Sequence, residues 1–345
     1  MADTMRAAVV SAFGPPEGVQ PAAMPRPEPG PGEVLIQVHA APVNFVDLYV
    51  TGGTYQFLPK LPFIPGKGPA GVVAALGPGV VATLGPGVDA LSVGDRVLAM
   101  AEQGGYAEFV TAKASQCYAL PDGMAFTAAA SMSLAYDTAW FALKQRGRLA
   151  PGETLLVLGA SGAVGLASVQ LGKAWGCRVL AGIGRPEMAA LVREAGADAV
   201  IDLSAPDLHD ALRDQVRDAT GGAMADVVMD PLGGDPFDAA IRALAWSGRL
   251  VVVGFAAGRI PFVKANYLLV KNIEVSGLQI SDYRKRRPDL VAECFRELFA
   301  LFTTGRIKPP DTMTLPLERA AEGLVAVRDR TTRGRRVILL PAGAV

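Results

Sequence analysis

Residues 154–165, T-L-L-V-L-G-A-S-G-A-V-G, constrain the fold of this chain more than any other stretch. Their apolar run at 155–158 has no polar break, which is typical of a strand buried on both faces of a parallel sheet. Gly159, Gly162 and Gly165 follow at a spacing of three, and apolar residues then recur at helical spacing as far as Trp175. The order strand, glycine-rich turn, helix predicts a dinucleotide-binding unit.

Each of the three glycines has a mechanical reason in such a unit. One allows the tight turn, one lets the backbone approach a pyrophosphate, and one lets the helix pack against the strand. The start of the helix presents N–H groups and a positive dipole end to the phosphates, and a serine in the turn can add a hydroxyl donor. A turn that is merely tight, with no ligand, is the alternative. The predicted cofactor contacts here are Gly159, Ala160, Ser161, Gly162, Ala163, Val164 and Gly165.

The end of the second strand of this unit, residues 181–185 (A-G-I-G-R), indicates the type of dinucleotide. Folds that prefer NAD place Asp or Glu about 20 residues beyond the glycines, to hold the ribose 2′-hydroxyl. Here no acid stands at the strand end, and Glu187 comes later, in the next helix. Arg185 can instead pair with a 2′-phosphate in a bidentate, charge-assisted way. The sequence therefore predicts NADPH, and a solvated Arg185 is the alternative.

Charge and cysteine content exclude several classes of protein. Lys plus Arg and Asp plus Glu both number 33 in 345 residues, which argues against a general nucleic-acid or membrane-surface binder. The three cysteines lie far apart, fit neither a disulfide framework nor a zinc site, and favour a reducing compartment. No signal-peptide pattern opens the chain, and no apolar run reaches the roughly 18 residues that a membrane span needs. We therefore expect a cytoplasmic protein.

The pattern along the chain predicts an α/β protein with two domains. Residues 1–124 consist of short β-rich runs separated by Pro- and Gly-rich connections, which is typical of a small barrel-like domain. Residues 125–305 alternate strands with helices, which predicts a doubly wound parallel sheet, and residues 306–345 return to β-type sequence. The predicted strands are 5–10, 33–40, 71–76, 96–100, 155–158, 178–181, 199–202, 226–229, 250–254, 273–278 and 335–340, and the predicted helices are 128–143, 187–195, 207–220, 237–246 and 288–304.

Several further segments, in their order along the chain, resemble the zinc-free quinone oxidoreductase branch of the medium-chain dehydrogenase/reductases. The resemblance implies a chaperonin-10-like (GroES-like) barrel made of residues 1–124 and 306–345, and a Rossmann domain at 125–305. It also implies a homodimer built through the edge strand of the Rossmann domain. The matching segments are 41–49 (A-P-V-N-F-V-D-L-Y), 62–73 (P-F-I-P-G-K-G-P-A-G-V-V), 93–97 (V-G-D-R-V), 151–165, 230–234 (D-P-L-G-G) and 248–254 (G-R-L-V-V-V-G).

The chain departs from the zinc-bearing relatives at the positions of their metal ligands. Asn44 stands where those relatives have a cysteine, and Lys67 stands where they have a histidine. The two histidines of this chain, His39 and His209, lie elsewhere and far apart. Zn²⁺ needs imidazole, thiolate or carboxylate groups in a tight set. The sequence therefore predicts no metal and no Lewis-acid mechanism.

The resemblance implies that Asn44, Asp47, Tyr49 and Tyr55 line the substrate cleft. Asn44 can donate an amide hydrogen bond to a substrate carbonyl oxygen as charge builds there. Either tyrosine can do the same or relay a proton. The alternatives are that the tyrosines are wall residues and that Asn44 caps a turn. Asp137 either faces the nicotinamide or makes a hydrogen bond on its helix. Further cofactor contacts implied by the resemblance are Val253, Gly254, Phe255, Asn266, Leu278, Gln279 and Arg335.

Two further local features are a basic run and a tandem repeat. Residues 284–287 (R-K-R-R) open a predicted helix and are either solvated or an anchor for a carrier such as coenzyme A. Residues 75–80 and 83–88 form a tandem repeat that predicts a lengthened surface hairpin. The expected activity is hydride transfer from NADPH to a quinone or another conjugated carbonyl. The alternatives are reduction of an enoyl thioester or enone such as an alkenal, and cofactor sensing without catalysis.

Overall fold

The computed structural model describes residues 3–80 and 91–342, so the second copy of the tandem repeat lies outside the described residues. The chain divides into two compact units. The β-rich unit comprises Met1–Leu134, Ser281–Phe299 and Pro309–Val345, and the parallel-sheet unit comprises Ala135–Ile280 and Ala300–Lys308. The predicted borders, after residues 124 and 305, differ from these. Residues 281–299 join the β-rich unit because Phe295 stacks on Tyr118 with ring centres 4.4 Å apart.

The β-rich unit is built on strands whose alternate residues face a common core. In the longest strand, Val34, Ile36 and Val38 are completely buried, as a period of two requires when one face is covered. The strands in the first part of this unit are β1 (Thr4–Val9), β2 (Gln20–Pro25), β3 (Glu33–Pro42), β4 (Ala70–Leu76), β5 (Arg96–Ala99), β6 (Phe109–Lys113) and β7 (Cys117–Ala119). After the second unit, the chain returns and adds two further strands to this unit, at Thr312–Pro316 and Arg336–Leu340.

Within the described residues these strands form a two-stranded sheet, β1 and β2, and a seven-stranded sheet in which β6 also pairs with β3. Most neighbours run antiparallel, and Ile338 of the last strand pairs with Pro42 of β3. The end of the chain therefore completes the sheet that its beginning starts, as the β-type sequence after residue 306 predicts.

The prediction that residues 1–124 are all-β is wrong for one segment. A helix, α1 (Phe45–Thr51), follows β3 directly. It begins because the carboxylate of Asp47 accepts the backbone N–H of Asn44 at 2.9 Å, which satisfies a group that the helix itself cannot pair. The spacing of three between Asn44 and Asp47 was the available signal for a helix start in the sequence.

The parallel-sheet unit begins with the last residues of α2 (Phe126–Trp140), which continues as a π-helical stretch over 141–146. Every residue of its first strand is buried, as the unbroken apolar run predicts. In chain order its elements are β8 (Thr154–Val157), α3 (Ala163–Ala174), β9 (Arg178–Ile183), α4 (Ala189–Glu194), β10 (Ala199–Asp202), α5 (Leu208–Thr220), β11 (Ala225–Asp230), α6 (Gly234–Ala240), β12 (Leu244–Val252), α7 (Ala265–Lys271) and β13 (Glu274–Gly277).

In the described part of the chain the six strands of this unit are parallel and follow the spatial order β10-β9-β8-β11-β12-β13. When these six strands are numbered 1 to 6 in chain order, their order in the sheet is 3-2-1-4-5-6, the doubly wound arrangement of dinucleotide-binding domains. The predicted fold class is therefore confirmed. No helix within residues 3–80 and 91–342 is both long and apolar enough to cross a membrane.

The predicted helix 237–246 is wrong in its second half. Helix α6 ends at Ala240, and β12 begins at Leu244 because Ala225 of β11 pairs with it across the sheet. Trp246 lies on the strand with 78% of its surface exposed. A short apolar run such as A-L-A-W does not distinguish helix from strand by its periodicity, and here the sheet decided the outcome.

Between β13 and residue 342, the chain forms three more α-helices and the last two strands. The basic run 284–287 closes a helix rather than opening one, since Pro288 cannot continue the hydrogen bonds of the preceding turn. The helix inside the final segment was not predicted. These elements are α8 (Ile280–Arg286), α9 (Pro288–Thr303), β14 (Thr312–Pro316), α10 (Ala320–Arg328) and β15 (Arg336–Leu340).

Candidate active site

The carboxyl ends of the parallel strands meet at one edge of the sheet, where doubly wound folds bind their ligands. The glycine turn follows β8, Arg185 follows β9, and the D-P-L-G-G segment follows β11. The segment 253–255 follows β12, and Leu278 and Gln279 follow β13. The topology thus brings most of the predicted cofactor contacts, which lie up to 120 residues apart in the chain, to one sheet edge.

The glycine turn has the backbone geometry that the three glycine roles require. Gly159 has a φ of +61°, a conformation that favours glycine. Gly162 is exposed and precedes the first residue of α3. A Cβ on Gly165 would lie 2.3 Å from the carbonyl oxygen of Gly159, so only glycine lets α3 approach the turn this closely. The turn is anchored on β9, because Ala160 N–H donates to the Gly182 carbonyl at 2.9 Å.

The remaining residues of the turn surround this backbone. Ala160 is buried, whereas Ser161, Ala163 and Val164 are half-buried at the start of α3. Helix α3 spans 12 residues, and its first turn has N–H groups without carbonyl partners in the helix. The fit of a dinucleotide pyrophosphate is therefore supported by the open Gly162, the left-handed Gly159 and the helix start together.

A buried carboxylate fixes the neighbouring strand end. Asp230 is completely buried and accepts the N–H groups of Leu232 at 2.8 Å and Gly233 at 3.0 Å. Burial raises the pKa of Asp230 to about 6, even though the two N–H groups favour its charged form. The Asp230 carbonyl accepts Val253 N–H at 2.7 Å, which ties the loops after β11 and β12 to each other.

Arg185 lies where a 2′-phosphate partner is expected. It is half-buried, comes directly after β9, and precedes the short 3-10 turn Pro186–Met188 that contains Glu187. Gly184 is exposed, and a Cβ there would meet no atom within 4 Å. The structure thus leaves open space at Gly184, the residue before Arg185, and places no acid at the end of β9.

The other predicted contacts divide between the two units. Leu278 is half-buried, like Gln279, and its N–H donates to the Val252 carbonyl at 3.0 Å. Phe255 is 37% exposed, and Asn266 is exposed at the start of α7. Arg335 belongs instead to the β-rich unit, where it is exposed and its Nε donates to the Thr332 carbonyl. Its role toward the cofactor stays a prediction.

In the β-rich unit, Asn44 holds the loop around Lys67. Its Nδ2 donates to the carbonyl oxygens of Pro42 at 3.4 Å and Lys67 at 3.3 Å, and its Oδ1 accepts Arg336 at 2.8 Å. Both amide N–H groups are therefore engaged within the protein. We accordingly assign Asn44 to positioning rather than to the predicted donation to a substrate carbonyl, and its place before α1 agrees with the alternative that it caps a turn.

Asp47 also has a structural environment. It is buried, and besides the N–H of Asn44 its carboxylate accepts the hydroxyl of Tyr106 at 2.8 Å. Burial raises the pKa of Asp47 and, helped by the neighbouring carboxylate, raises that of Tyr106 well above its usual value. These contacts connect α1 to the sheet core and leave Asp47 without access to solvent.

The two predicted tyrosines differ in exposure. Tyr49 is 37% exposed on α1, with its ring edge-on to Phe45 at 5.5 Å. Tyr55 is half-buried, and the Lys67 ammonium lies 5.6 Å from the centre of its ring, within cation–π range. The Tyr55 ring is 6.3 Å from that of the exposed Phe57. Tyr55 thus connects a buried cation with an exposed aromatic surface.

A buried ion cluster completes this part of the molecule. Lys67 Nζ donates to Glu102 Oε2 at 2.6 Å and to the Glu102 carbonyl at 2.9 Å. Arg284 donates to Glu102 Oε1 at 3.1 Å, and Ser281 Oγ donates to Glu102 Oε2 at 3.2 Å. Burial opposes the ionisation of Glu102, but the charges of Arg284 and Lys67 outweigh it and lower the pKa of Glu102 to about 2.

Sequence reasoning missed this cluster. Glu102 is a single acid 35 residues from Lys67 and 182 from Arg284, and no local pattern connects the three. Arg284 is buried in the pair, so the basic run is not simply solvated, and Arg284 cannot serve as a free anchor for a carrier. Lys285, Arg286 and Arg287 of the same run are exposed.

Asp137 is fully buried on α2 and accepts the hydroxyl of Thr138 at 3.3 Å. Over residues 3–80 and 91–342, no group of three or more His, Cys, Asp or Glu side chains is arranged to hold a metal ion.

Comparison with protein families matches both units. Residues 30–122 match the alcohol dehydrogenase GroES-like domain, and residues 163–297 match the zinc-binding dehydrogenase domain. A quinone oxidoreductase-like protein 2 homolog from Nematostella vectensis is 36% identical over 90% of this chain and 82% of its own length. The quinone oxidoreductase of Mus musculus is 33% identical over 97% of this chain and 98% of its own.

Solved structures of similar proteins also match nearly the whole chain. Mycobacterial Rv1454c complexed with NADPH superposes with a TM-score of 0.88 at 33% identity, over 98% of this chain and all of the other. The Escherichia coli quinone oxidoreductase complexed with NADPH superposes with a TM-score of 0.85 at 27% identity, over 98% of this chain and 99% of the other. The chain therefore belongs to the quinone oxidoreductase family, a zinc-independent branch of the medium-chain dehydrogenase/reductases.

Proposed function

We propose that the protein is an NADPH-dependent oxidoreductase that transfers a hydride to a quinone or another conjugated carbonyl without a metal. The observation that carries the proposal is the glycine turn, in which Gly159 is left-handed and a Cβ at Gly165 would collide with the turn backbone. It stands at the edge of the parallel sheet where the other five strands also have their carboxyl ends. The relatives named quinone oxidoreductase support the reaction class.

The phosphorylated form of the cofactor is proposed on two grounds. Gly184 and Arg185 stand where an NAD-specific fold has an acid, and the space in front of Gly184 is open. Arg185 presents a planar guanidinium that suits a phosphate monoester. Both NADPH-complexed structural relatives cover nearly the whole chain, which makes the same binding mode feasible here.

The reduced nicotinamide of NADPH supplies a hydride from its C4 position when bound. The residues of this chain fix the surroundings of that ring. Asp230 holds the loop after β11 through two N–H groups, and Val253 is tied to the same residue, so the two loops form one rigid support. Gly254 lies in this support, where a side chain would approach the carbonyl of Pro231 at 3.3 Å. Such preorganisation keeps the reacting atoms aligned.

The proposal is tested by oxidation of NADPH, followed by absorbance, with 1,4-benzoquinone, 9,10-phenanthrenequinone, crotonyl-CoA and an alkenal as acceptors. Turnover of a quinone supports the proposal. Turnover confined to crotonyl-CoA or the alkenal would assign the chain to the enoyl-thioester or enone alternative. Tight NADPH binding without turnover of any acceptor would leave a sensor and contradict the proposed activity.

We also propose a homodimer formed through β13, the strand at one end of the parallel sheet. Several large apolar side chains of the segment 246–270, which precedes β13 in the chain, are exposed, which is unusual for side chains in contact with water. Light scattering during gel filtration tests this proposal, and a mass of one chain for the native protein would contradict it. The exposed apolar side chains and their exposed fractions are Trp246 (78%), Phe262 (87%), Leu269 (80%) and Val270 (76%).

We propose a cytoplasmic location because the cysteines suit a reducing compartment. Cys117, Cys177 and Cys294 form no disulfide in the described part of the chain, and all three are buried. Burial raises the pKa of Cys117 to about 12, which keeps this thiol protonated. Fractionation of the source cells, with detection by an antibody against the chain, tests the location.

A further inference from the structure

The segment after β12 lies along the segment after β11 in the parallel-sheet unit. Besides the bond between Val253 and Asp230, further backbone hydrogen bonds join the two segments. They are Ala256 N–H to the Pro231 carbonyl at 3.1 Å, Ala257 N–H to the Leu232 carbonyl at 2.9 Å, and Gly234 N–H to the Arg259 carbonyl at 3.0 Å. The position of either segment therefore determines the position of the other.

A glycine in the first segment makes this attachment close. Gly233 has a φ of +64°, and a Cβ there would lie 3.0 Å from the Arg259 carbonyl oxygen and 3.0 Å from the Phe255 ring. A side chain at this position would therefore push the second segment away. The backbone of the segment 253–259 is thus packed directly on the backbone of the first segment.

The side chain of Arg259 adds two ion pairs to this attachment. Its Nη2 donates to Asp235 Oδ1 at 2.9 Å and also to the carboxylate of Asp238. Both acids belong to α6 and stand three positions apart, so they lie on the same face of the helix. We call these two ion pairs the Arg259 clamp. The clamp joins the end of the segment 253–259 to the helix that follows the first segment.

The clamp is exposed, which makes it weak and sensitive to salt. The side chains of Arg259 and Asp238 are 46% and 41% exposed, and that of Asp235 is 86% exposed. Ion pairs in contact with water contribute little individually and are screened by dissolved salt. Directly after the clamp, Ile260 and Phe262 expose 64% and 87% of their surface. Arg259 therefore marks the border between the attached part of the loop and its exposed part.

The order of the strands indicates which part of a dinucleotide faces this loop. The glycine turn that suits a pyrophosphate follows β8, and Arg185, which suits the 2′-phosphate, follows β9 on one side of β8. The strands β11 and β12 lie on the other side of β8. With the adenosine end directed toward β9, the loops after β11 and β12 remain for the nicotinamide end.

We propose that Arg259 is a positioning residue for hydride transfer. Its clamp on α6 holds the segment 253–259 against the loop after β11 and thereby fixes the backbone of Val253 and Gly254 for the nicotinamide. This inference rests on the proposed function and adds to it a residue that acts through the backbone and not by contact with the cofactor. Loss of the clamp disturbs the nicotinamide end of the site and leaves the phosphate end intact.

The first test measures the clamp without any cofactor. Amide hydrogen exchange, followed by mass spectrometry, reports how often the N–H groups that join the two segments lose their partners. We expect Arg259→Gln to speed the exchange of these groups about threefold to fivefold, the range that exposed ion pairs provide. Arg319→Gln, which removes a similarly exposed ion pair with Glu322 in the β-rich unit, is the matched control and should leave these groups unchanged.

The two carboxylates and the salt concentration identify the ion pairs as the cause. The double variant Asp235→Asn, Asp238→Asn should speed exchange as much as Arg259→Gln does, and combining all three substitutions should change nothing further. Raising sodium chloride from about 0.05 M to about 1 M should bring the native protein close to the exchange rate of Arg259→Gln and leave that variant unchanged. Arg259→Lys keeps the charge and should retain part of the protection.

The second test separates the nicotinamide end of the cofactor from its phosphate end. The probe is adenosine 2′,5′-bisphosphate, which carries the 2′-phosphate but no nicotinamide. We expect Arg259→Gln to weaken the binding of NADPH about fivefold and to leave the binding of the bisphosphate within about a factor of two. With a quinone as acceptor, kcat should also fall about fivefold, because the reacting atoms are aligned less often.

The two tests separate this inference from the proposed function. Unchanged exchange in Arg259→Gln, or faster exchange with unchanged NADPH affinity and unchanged kcat, overturns the positioning role of Arg259. An equal loss of affinity for NADPH and for the bisphosphate also overturns it, since the substitution would then act on the whole unit. A native protein that binds NADPH but reduces no acceptor contradicts the proposed activity, and in that protein the expected loss of NADPH affinity in Arg259→Gln still supports the role of the clamp.

Discussion

Two carboxylates, one in each unit, show how differently the candidate functional residues of the two units are held in place. Asp230 is held by backbone N–H groups alone, and burial raises its pKa to about 6. Glu102 is held by two cationic side chains, and its pKa falls to about 2. Asp230 lies in a local turn that the chain specifies over four residues, whereas Glu102 depends on partners far away in the sequence. The first kind of site is defined by backbone geometry, and the second by side-chain charge.

The largest expected effect concerns the backbone-defined site. We expect Gly165→Val to weaken NADPH binding by at least about 100-fold, because its Cβ would meet the Gly159 carbonyl at 2.3 Å and displace α3 from the phosphate site. Fluorescence titration of NADPH measures the loss. Gly18→Ala, which adds a methyl group in open space in the β-rich unit, is the control and should bind within a few-fold of the native protein. Equal binding by both variants would contradict the role of the turn.

The charge-defined site is tested by Glu102→Gln, which removes the carboxylate that the buried side chains of Lys67 and Arg284 share. Breaking a fully buried ion pair costs about 3–5 kcal/mol of folding free energy. Because 34% of the Glu102 side chain is exposed and solvent screens its charge, we expect a loss of about 2 kcal/mol. Urea unfolding at pH 7 measures the loss of stability. Glu108→Gln breaks the more exposed pair with Arg6 and should cost under about 1 kcal/mol. A smaller loss for Glu102→Gln than for Glu108→Gln would contradict our description of the cluster.

The two carboxylates should respond to pH in opposite directions. The pKa of Asp230 is raised on folding, so the folded state binds its proton more tightly, and its contribution to stability is lost as the pH rises from about 4 through 6. The pKa of Glu102 is lowered, so its contribution is present above its ordinary value of 4.5 and is lost as the pH falls toward 2.

We therefore expect Asp230→Asn to stabilise the protein at pH 7 by about 1–2 kcal/mol, since the amide oxygen can accept the same two N–H groups without a buried charge. Thermal unfolding at pH 4 and pH 7 measures the difference in stability between Asp230→Asn and the native protein. This difference should be small at pH 4. Destabilisation at pH 7 would show that the charge itself has a structural or catalytic use.

The smallest expected effect concerns cofactor choice. We expect Arg185→Ala to raise KM for NADPH about 10-fold and to leave KM for NADH unchanged, because only the phosphorylated cofactor offers a group for the guanidinium to pair with. Steady-state kinetics with both cofactors measures the preference. An equal change for NADPH and NADH would mean that Arg185 acts on the fold of the loop and not on the phosphate.

The contrast between the backbone-defined site and the charge-defined site also explains which features the sequence could predict. The glycine spacing, the buried strand before it and the absence of an acid near Arg185 are local, and they sufficed to predict the parallel sheet and its ligand-binding edge. The helix predicted over 237–246 failed because pairing of Leu244 with β11 outweighed a weak local pattern. In the β-rich unit, the capped helix at Phe45 was missed, although Asn44 and Asp47 carried its signal.

The ion cluster could not have been predicted in the same way. Lys67 was noticed for its unusual position and the run 284–287 for its charge, but neither pattern contains the information that both reach Glu102. Their meeting depends on residues 281–299 packing with the β-rich unit, which follows from the tertiary contacts of Phe295 and Tyr118. Contacts between side chains that lie 182 positions apart have no periodicity that a single sequence could show.

The most direct test of the account is isothermal titration calorimetry of the purified protein with NADPH and with NADH. We expect NADPH to bind with one site per chain and at least about 10-fold more tightly than NADH, which corresponds to about 1.4 kcal/mol from the 2′-phosphate. Absence of binding by either cofactor would contradict the central claim that the glycine turn after β8 holds a phosphorylated dinucleotide.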